Sequence, residues 1–174
     1  MTPMPPLARI PVGIVVERRK AKSPWLDFAW LPVAVLSGRP DAEPWTILSG
    51  EEDATMFYAG MADIELYRSE AGNYRDNLAS SAPSVWISLH ATDGHPPYRI
   101  AAVTADPAEG ESLTEPGDAI VEAVPMPDQV REAIATFVAQ HHVETGFDKR
   151  KRDRADPEAM ARRGPVRRND DERS

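Results

Sequence analysis

Histidine and carboxylate side chains that could bind a metal lie close together in one short segment. The stretch LHATDGHPP holds His90, Asp93 and His95, and all three residue types are common metal ligands. A metal site needs three or four ligands that converge from fixed positions, whereas the Asp-Gly and Pro-Pro pairs here are typical of a turn between strands. We therefore interpret this segment as a hairpin turn and predict no metal ligand in it.

Two acidic clusters are the remaining candidates for catalytic chemistry. GEED at residues 50–53 and DPAEGE at residues 106–111 could supply a carboxylate pair for acid–base work, but acidic pairs in loops are usually solvated. The sequence has no G-x-S-x-G or S-x-x-K nucleophile motif and no glycine-rich phosphate loop. It has no cysteine, which excludes thiolate catalysis and thiolate metal sites. We expect a protein that is not an enzyme and has no catalytic, cofactor-binding or metal-binding residue.

The four tryptophans raise the different possibility of a platform on which nucleic-acid bases stack. They are Trp25, Trp30, Trp45 and Trp86, and the only basic cluster near them is RRKAK at residues 18–22. Tryptophans in alternating strands more often belong to the core or to its rim. We therefore favour a structural role for them.

Length and composition indicate one domain together with a segment that is not packed. A chain of 174 residues suits a single core, and the 41% hydrophobic content and 17 prolines indicate many connections. The sequence has no apolar run near the roughly 18 residues that a membrane span needs, and its first residues lack the pattern of a signal peptide. These features predict a cytoplasmic protein that does not contact a membrane.

Charge divides the chain into an acidic body and a basic tail. The net charge is −8, to which residues 148–174 contribute +3 and residues 1–147 contribute −11. An acidic body repels phosphate backbones, which disfavours nucleic acid as a partner. The apolar side chains beyond Phe147 are too few to offset an ordering cost of roughly 1–2 kcal/mol per residue. We predict one mostly-β domain over residues 1–147 and a disordered, charged tail over residues 148–174.

Alternating apolar residues predict a series of short strands. Residues 8–17 alternate with a period of two, and a long strand follows over residues 24–38, bent or bulged at Pro32. Further strands are predicted at PWTILSG, ATMFYAG, ADIELYRSE, SVWISLHA, YRIAAVTA and AIVEAV, with a hairpin around Asp93-Gly94. The polar segment AGNYRDNLASSAP is predicted to be a loop or one helical turn, and DPAEGESLTEPGD a loop.

One segment near the end of the domain has helical periodicity. In PMPDQVREAIATFVAQHH one face carries Val130, Ile134, Phe137, Val138 and His141. Several strands joined by turns, without alternating helices, favour an antiparallel sheet. The predicted fold is mainly β, a small antiparallel barrel or sandwich with one C-terminal amphipathic helix and a disordered charged tail.

Five stretches between residue 9 and about residue 154 have a family-specific character. They are RIPVGIVVERR, YRSEAGNYRDNLASSAPSVWISL, AVTADPAEGE, VEAVPMP and FVAQHHVETGFDKRKRDR. They resemble a proteobacterial family catalogued as a domain of unknown function, number 3305 in that series. The strings are not chemical motifs, so the resemblance assigns no catalytic residue. Members of the family are commonly encoded beside molybdenum-dependent formate dehydrogenases, so the resemblance implies a role in the assembly, maturation or docking of such an enzyme.

The resemblance extends into the start of the charged tail, where FDKRKRDR at residues 147–154 is a basic run. This run is therefore a candidate docking peptide. Its basic side chains can pair with carboxylates of a protein partner. The predicted docking residues are Lys149, Arg150, Lys151, Arg152 and Arg154. The expected function is that of a non-catalytic accessory protein, and the expected partner is a formate dehydrogenase subunit or its maturation factor. The alternative is a regulatory or nucleic-acid-binding module that uses the same tail.

Overall fold

The computed structural model describes residues 4–25, 27–114 and 119–141. The strands of this part are β1 Ala8–Lys20, β2 Phe28–Ser37, β3 Thr46–Gly50, β4 Ala54–Leu66, β5 Ser84–Ala91, β6 Tyr98–Thr104 and β7 Ile120–Pro125. A single 3-10 turn, Arg68–Glu70, leads into helix α1, Ala71–Ala79, and a short helix α2 spans Pro107–Ser112. Residues 128–141 form a further helix, α3. The mainly β prediction is confirmed.

The strands form two antiparallel sheets. The first has the order β2-β1-β4-β3, and the second has the order β6-β5-β7. In the first sheet β1 and β4 are each 13 residues long, whereas the strands of the second sheet have between six and eight residues. The first sheet is therefore longer than the sheet that packs on it.

The core lies between the sheets and is closed by two helices. Its sheet residues follow the alternation of the sequence, because a strand sends every second side chain to the same face. The two sheets contribute Val12, Ile14, Val16, Val35, Ile64, Leu66, Val85, Ile87, Leu89 and Val124. Helix α3 contributes the apolar face that its periodicity predicts, namely Val130, Ile134, Phe137 and Val138. Tyr74 of α1 meets Phe137 edge to face, with ring centroids 6.0 Å apart.

The two sheets do not close into a barrel, so of the two predicted architectures, barrel or sandwich, the barrel is wrong. β3 pairs with β4 only up to Tyr58, and the second half of β4 then runs beside β6. The space between them is a cavity of about 350 Å³ lined by side chains of both strands, including Asp63 and Glu65.

The predicted irregularity at Pro32 is confirmed. Val15 pairs with Ala34 whereas Val16 pairs with Pro32, so Val33 is an extra residue in β2. Proline has no amide hydrogen to give to a ladder, and a bulge removes the need for one. A similar shift in the pairing of β1 with β4 lets a single strand run through Gly60, where two separate strands were predicted.

The segment predicted as a loop or one helical turn is helix α1, nine residues long. Its polar residues indicated an exposed loop, but some of them are buried and form hydrogen bonds with the backbone. The Asn77 side-chain amide donates to the carbonyl oxygens of Ser84 and Ala105, at 2.8 and 2.9 Å, and its oxygen accepts from the Ser84 amide at 3.0 Å. Asn77 thus joins α1 to the start of β5 and the end of β6.

The acidic segment predicted as a loop contains helix α2, so that prediction is also wrong. Asp106 caps the helix by accepting from the Ala108 amide at 2.9 Å, and Pro107 occupies the first turn. The helix lies on the outer face of the second sheet. A Cβ atom on Gly110 would approach Trp86 Cγ to 2.4 Å, so only glycine allows this contact.

Replacing Gly110 by alanine tests the packing of α2. We expect Gly110→Ala to lower the free energy of unfolding by about 1–3 kcal/mol, because the helix must move away from the indole. Gly50→Ala is the matched control, since a Cβ there has no atom within 4 Å, and it should change stability by less than about 0.5 kcal/mol. Urea unfolding measures both. Equal losses in the two variants would contradict this packing.

Candidate docking surface

The most unusual side chain of the described chain is Arg18, which lies on the inner face of the first sheet. Val12, Ile14 and Val16 of β1 point into the core, and Arg18 is the next residue in that phase. It pairs with Trp30 on one side and with Thr55 on the other. The inward row of the strand that supplies the core thus continues with two cations, Arg18 and then Lys20, which pairs with Phe28.

Aromatic rings surround the Arg18 guanidinium. Its Cζ atom lies 4.6 Å from the ring centroid of Phe28, 5.4 Å from that of Phe57 and 5.8 Å from that of Trp30. Ring faces attract a cation through their quadrupole, by about 0.5–2 kcal/mol for each contact. These contacts explain how the charge can lie against apolar neighbours.

The guanidinium is poorly satisfied by hydrogen bonds. Arg18 Nη2 donates to Thr55 Oγ1 at a long 3.4 Å, and the buried Nε atom has no partner. No carboxylate within the described residues forms an ion pair with it. A guanidinium carries five N–H donors and normally meets an anion when it loses water. Arg18 therefore has unused capacity to bind one.

The neighbouring arginine shows the contrast. Arg19 lies on the opposite face of β1, where its Nη2 atom donates to Glu17 Oε1 at 2.6 Å. Its charge is thus compensated within the chain. Arg19 is a natural control for any test of Arg18.

We use the name aromatic shelf for Phe28, Trp30, Trp45, Phe57 and Tyr98. The last four rings contact one another, and Phe28 joins them through the Arg18 guanidinium. Trp30 stacks on Phe57 with ring centroids 5.6 Å apart, and it lies 6.2 Å from Trp45 and 6.1 Å from Tyr98. Tyr98 is the first residue of β6, so the second sheet reaches the shelf with the start of that strand.

Trp45 enters the shelf from a strained backbone. Its φ angle is 69°, in the left-handed region that costs a bulky residue about 1–2 kcal/mol. The Trp45 amide donates to the Tyr58 carbonyl oxygen, and its ring meets that of Phe57 at 5.9 Å. Packing against the shelf holds the residue in this conformation, and such strain is typical of functional surfaces.

Apolar side chains are exposed at the same end of the first sheet. The exposed fraction is 88% for Trp25, 43% for Phe28, 61% for Ile47 and 48% for Leu48. Trp25 is in the connection between β1 and β2, and Ile47 pairs with Phe57 from strand β3. Large apolar side chains grouped at one surface are typical of sites that bind another molecule.

The seam between β4 and β6 is a second candidate, and we call it the acidic groove. Asp63, Glu65, Tyr67 and Glu109 line it. Tyr67 donates its hydroxyl to Glu65 at 2.7 Å, and Arg9 meets the same carboxylate at 3.3 Å. The bond from Tyr67 is the main cause that lowers the pKa of Glu65, with Arg9 assisting and burial opposing it. That bond also raises the pKa of Tyr67.

Two carboxylates of the acidic groove already have hydrogen-bond partners in the chain. Glu65 accepts from Tyr67, and Glu109 accepts from the Thr104 hydroxyl at 2.6 Å. Across residues 4–25, 27–114 and 119–141 there is no group of three or more histidine, aspartate or glutamate side chains arranged to hold a metal ion. Nor does any helix of those residues combine the length and apolar character needed to cross a bilayer.

The sequence-predicted candidates lie in different places. His90, Asp93 and His95 are exposed around the predicted hairpin turn, where the Thr92 amide donates to the Pro97 carbonyl oxygen at 2.7 Å. Trp30 and Trp45 pack against the core, and Trp86 lies under α2, in accordance with a structural role. The predicted docking residues, Lys149, Arg150, Lys151, Arg152 and Arg154, and the predicted disordered tail lie outside the described residues.

Sequence reasoning missed Arg18, although two signals were present. The segment RRKAK is basic and close to two tryptophans, and Arg18 continues the apolar phase of β1. Only the register with β2 and β4 brings Phe28, Trp30 and Phe57 around it.

The two antiparallel sheets define a mainly β protein. The family model described as a protein of unknown function, DUF3305, matches residues 11–151. The chain belongs to this family, as the strings in its sequence indicate. Searches of curated proteins and of solved structures found no match to the chain.

The buried hydroxyl of Tyr74 predicts how stability depends on alkaline pH. Burial raises its pKa from the usual 10 to about 12. The unfolded chain therefore loses this proton at lower pH than the folded chain does, so the free energy of unfolding should fall between about pH 10 and pH 12. Tyr74→Phe should flatten this fall, and it should lower stability at pH 7 by about 1 kcal/mol, because the Tyr67 amide loses its acceptor.

The measurement is urea unfolding of both proteins at several pH values from 7 to 12. Tyr67→Phe is the control and should keep most of the alkaline fall, because Tyr67 is the more exposed of the two tyrosines. An unchanged alkaline slope in Tyr74→Phe would contradict the assignment.

Proposed function

We propose that this protein is a non-catalytic accessory protein that binds another protein through the aromatic shelf and Arg18. The observation that carries the proposal is an arginine held among aromatic rings, of which Phe28 is exposed, without a carboxylate of the described residues to pair with it. Tryptophan, other aromatic residues and arginine are the residue types that dominate the energy of protein interfaces. Catalysis would need convergent acid, base or nucleophilic groups, and the shelf offers none.

The family resemblance suggests the partner. Because relatives are commonly encoded beside molybdenum-dependent formate dehydrogenases, we propose that the partner is a subunit of such an enzyme or one of its maturation factors. The basic residues Lys149, Arg150, Lys151, Arg152 and Arg154 would add a second, charge-assisted contact. Gene neighbourhood supports an association of this kind and says nothing of its chemistry.

Deleting the gene in its native host tests this function. We expect formate dehydrogenase activity to fall while the amount of enzyme transcript stays the same, because an accessory protein acts after transcription. The wild-type gene should restore activity. Unchanged activity after deletion would remove the proposal, and a matching fall in transcript would favour the regulatory alternative.

Complementation with surface variants tests the role of the shelf. Ile47→Lys should fail to restore activity, because it places a charge on the exposed residue that pairs with Phe57 of the shelf. Leu7→Lys is the matched control, since Leu7 is 57% exposed and lies before the opposite end of β1. Truncation after Phe147 separates the tail from the shelf in the same assay. Full restoration by Ile47→Lys would show that the shelf is not the binding surface.

A further inference from the structure

We propose that the shelf binds a peptide segment of the partner in which one aspartate or glutamate is flanked by apolar residues, with its carboxylate on Arg18. This inference deepens the proposed function, on which it rests, by naming the chemistry that the surface recognises.

The unpaired guanidinium selects an anion. Arg18 makes one long hydrogen bond and no ion pair with the described residues, and its Nε atom is buried without a partner. A carboxylate matches the planar fork of a guanidinium with two parallel bonds. In apolar surroundings such a pair is stronger than on an open surface, because less water competes with it.

The charges around Arg18 also bear on this choice. Lys20 and Lys22 are exposed near the same end of β1 and add positive charge. The turn between β3 and β4 carries three exposed acids, Glu51, Glu52 and Asp53, which oppose a highly charged ligand. Salt screens the exposed charges of these residues beyond about 8 Å at physiological ionic strength, whereas it screens the partly buried Arg18 much less. Arg18 is therefore the charge to which a single carboxylate of the ligand responds most strongly.

The apolar residues beside Arg18 require a ligand that has apolar groups as well as a carboxylate. Along the strand order β2-β1-β4-β3, the inner face presents Phe28, Arg18, Phe57 and Ile47 on a diagonal. Phe28 pairs with Lys20, two residues after Arg18, whereas Phe57 and Ile47 are level with Val16, two residues before it. Phe28 and Ile47 are both exposed. A free carboxylate would leave these surfaces in water, whereas apolar residues on both sides of it would cover them.

The spacing of the strands predicts the spacing of the ligand. Neighbouring strands lie about 4.8 Å apart and two residues advance about 6.6 Å along a strand, so Phe28 lies about 8 Å from Arg18 and Ile47 about 12 Å away on the other side. An extended peptide advances about 3.3 Å per residue. A segment that crosses the strands diagonally would therefore carry apolar residues about two or three positions from the acid on one side and about three or four positions away on the other.

Peptide selection tests this inference with the purified full chain. The probe is a random dodecapeptide library displayed on phage, selected in parallel on the wild type, on Arg18→Met and on Arg19→Met. We expect the wild type and Arg19→Met to enrich one aspartate or glutamate with apolar residues at the predicted spacing. Arg18→Met should lose the acid from the enriched peptides and keep the apolar residues.

Several outcomes would overturn the inference. They are the absence of any enriched peptide on the wild type, enrichment without an acid, and retention of the acid on Arg18→Met. Gene deletion in the host tests the proposed function without peptides, so either test can fail alone. Failure of the selection with a positive deletion result would leave the accessory role and remove this binding chemistry.

A second measurement needs only the wild-type protein, so it does not depend on the folding of a variant. The best selected peptide and its Asp→Asn or Glu→Gln form are titrated while tryptophan fluorescence is recorded. Loss of the charge should weaken binding by about ten-fold or more. Equal affinities would contradict a carboxylate on Arg18, and tighter binding of a phosphoserine form would assign the site to phosphate instead.

The shelf could instead bind a second copy of this chain, and sedimentation tests this by measuring the oligomeric state. We expect the full chain to remain a monomer at the concentrations used for titration. A dimer that Ile47→Lys dissociates and Leu7→Lys does not would show that the shelf joins two copies, and it would overturn the inference.

Discussion

The phase of β1 determines both the core and the candidate docking surface. A strand sends alternate side chains to one face, so the row that begins with Val12, Ile14 and Val16 must continue with Arg18. The first sheet is built on strands of 13 residues, and the second sheet on strands of eight or fewer. The longer sheet therefore has an inner face that the shorter one covers only in part. Arg18 and the aromatic shelf lie where the covered part gives way to an exposed one.

The remaining elements hold the two sheets together and leave accessible the end of the first sheet that carries Arg18 and the aromatic shelf. Asn77 links α1 to both β5 and β6, and Tyr74 connects the same helix to α3 through Phe137. Gly110 lets α2 lie directly on Trp86 at the outer face of the second sheet. The hydrogen-bonded pair of Glu65 and Tyr67 lines the seam between β4 and β6. Satisfied polar groups of this kind specify a fold, whereas Arg18 pairs with no carboxylate of the described residues.

Periodicity explains which features the sequence predicts and which it does not. Strands and helix α3 are predictable because their burial follows a period of two or 3.6 residues. Helices α1 and α2 were missed because their buried groups include Asn77 and Gly110, whose roles depend on partners distant in the chain. The Asp106-Pro107 pair was a local signal for α2. Arg18 was visible as a basic residue in phase with the core, but its aromatic neighbours come from β2 and β4, and register cannot be read from one strand alone.

The stability of Arg18→Met tests most directly whether Arg18 serves binding rather than folding. Its ring contacts favour the folded state, while the desolvated charge and the unpartnered Nε atom oppose it by about 1–3 kcal/mol. Replacing a buried charge by an apolar side chain of similar volume is often neutral or stabilising. We predict that the free energy of unfolding of Arg18→Met, measured in urea, lies within about 1 kcal/mol of the wild-type value or above it. A loss of more than about 3 kcal/mol would show that Arg18 is needed for the fold, and it would contradict a residue kept for a partner.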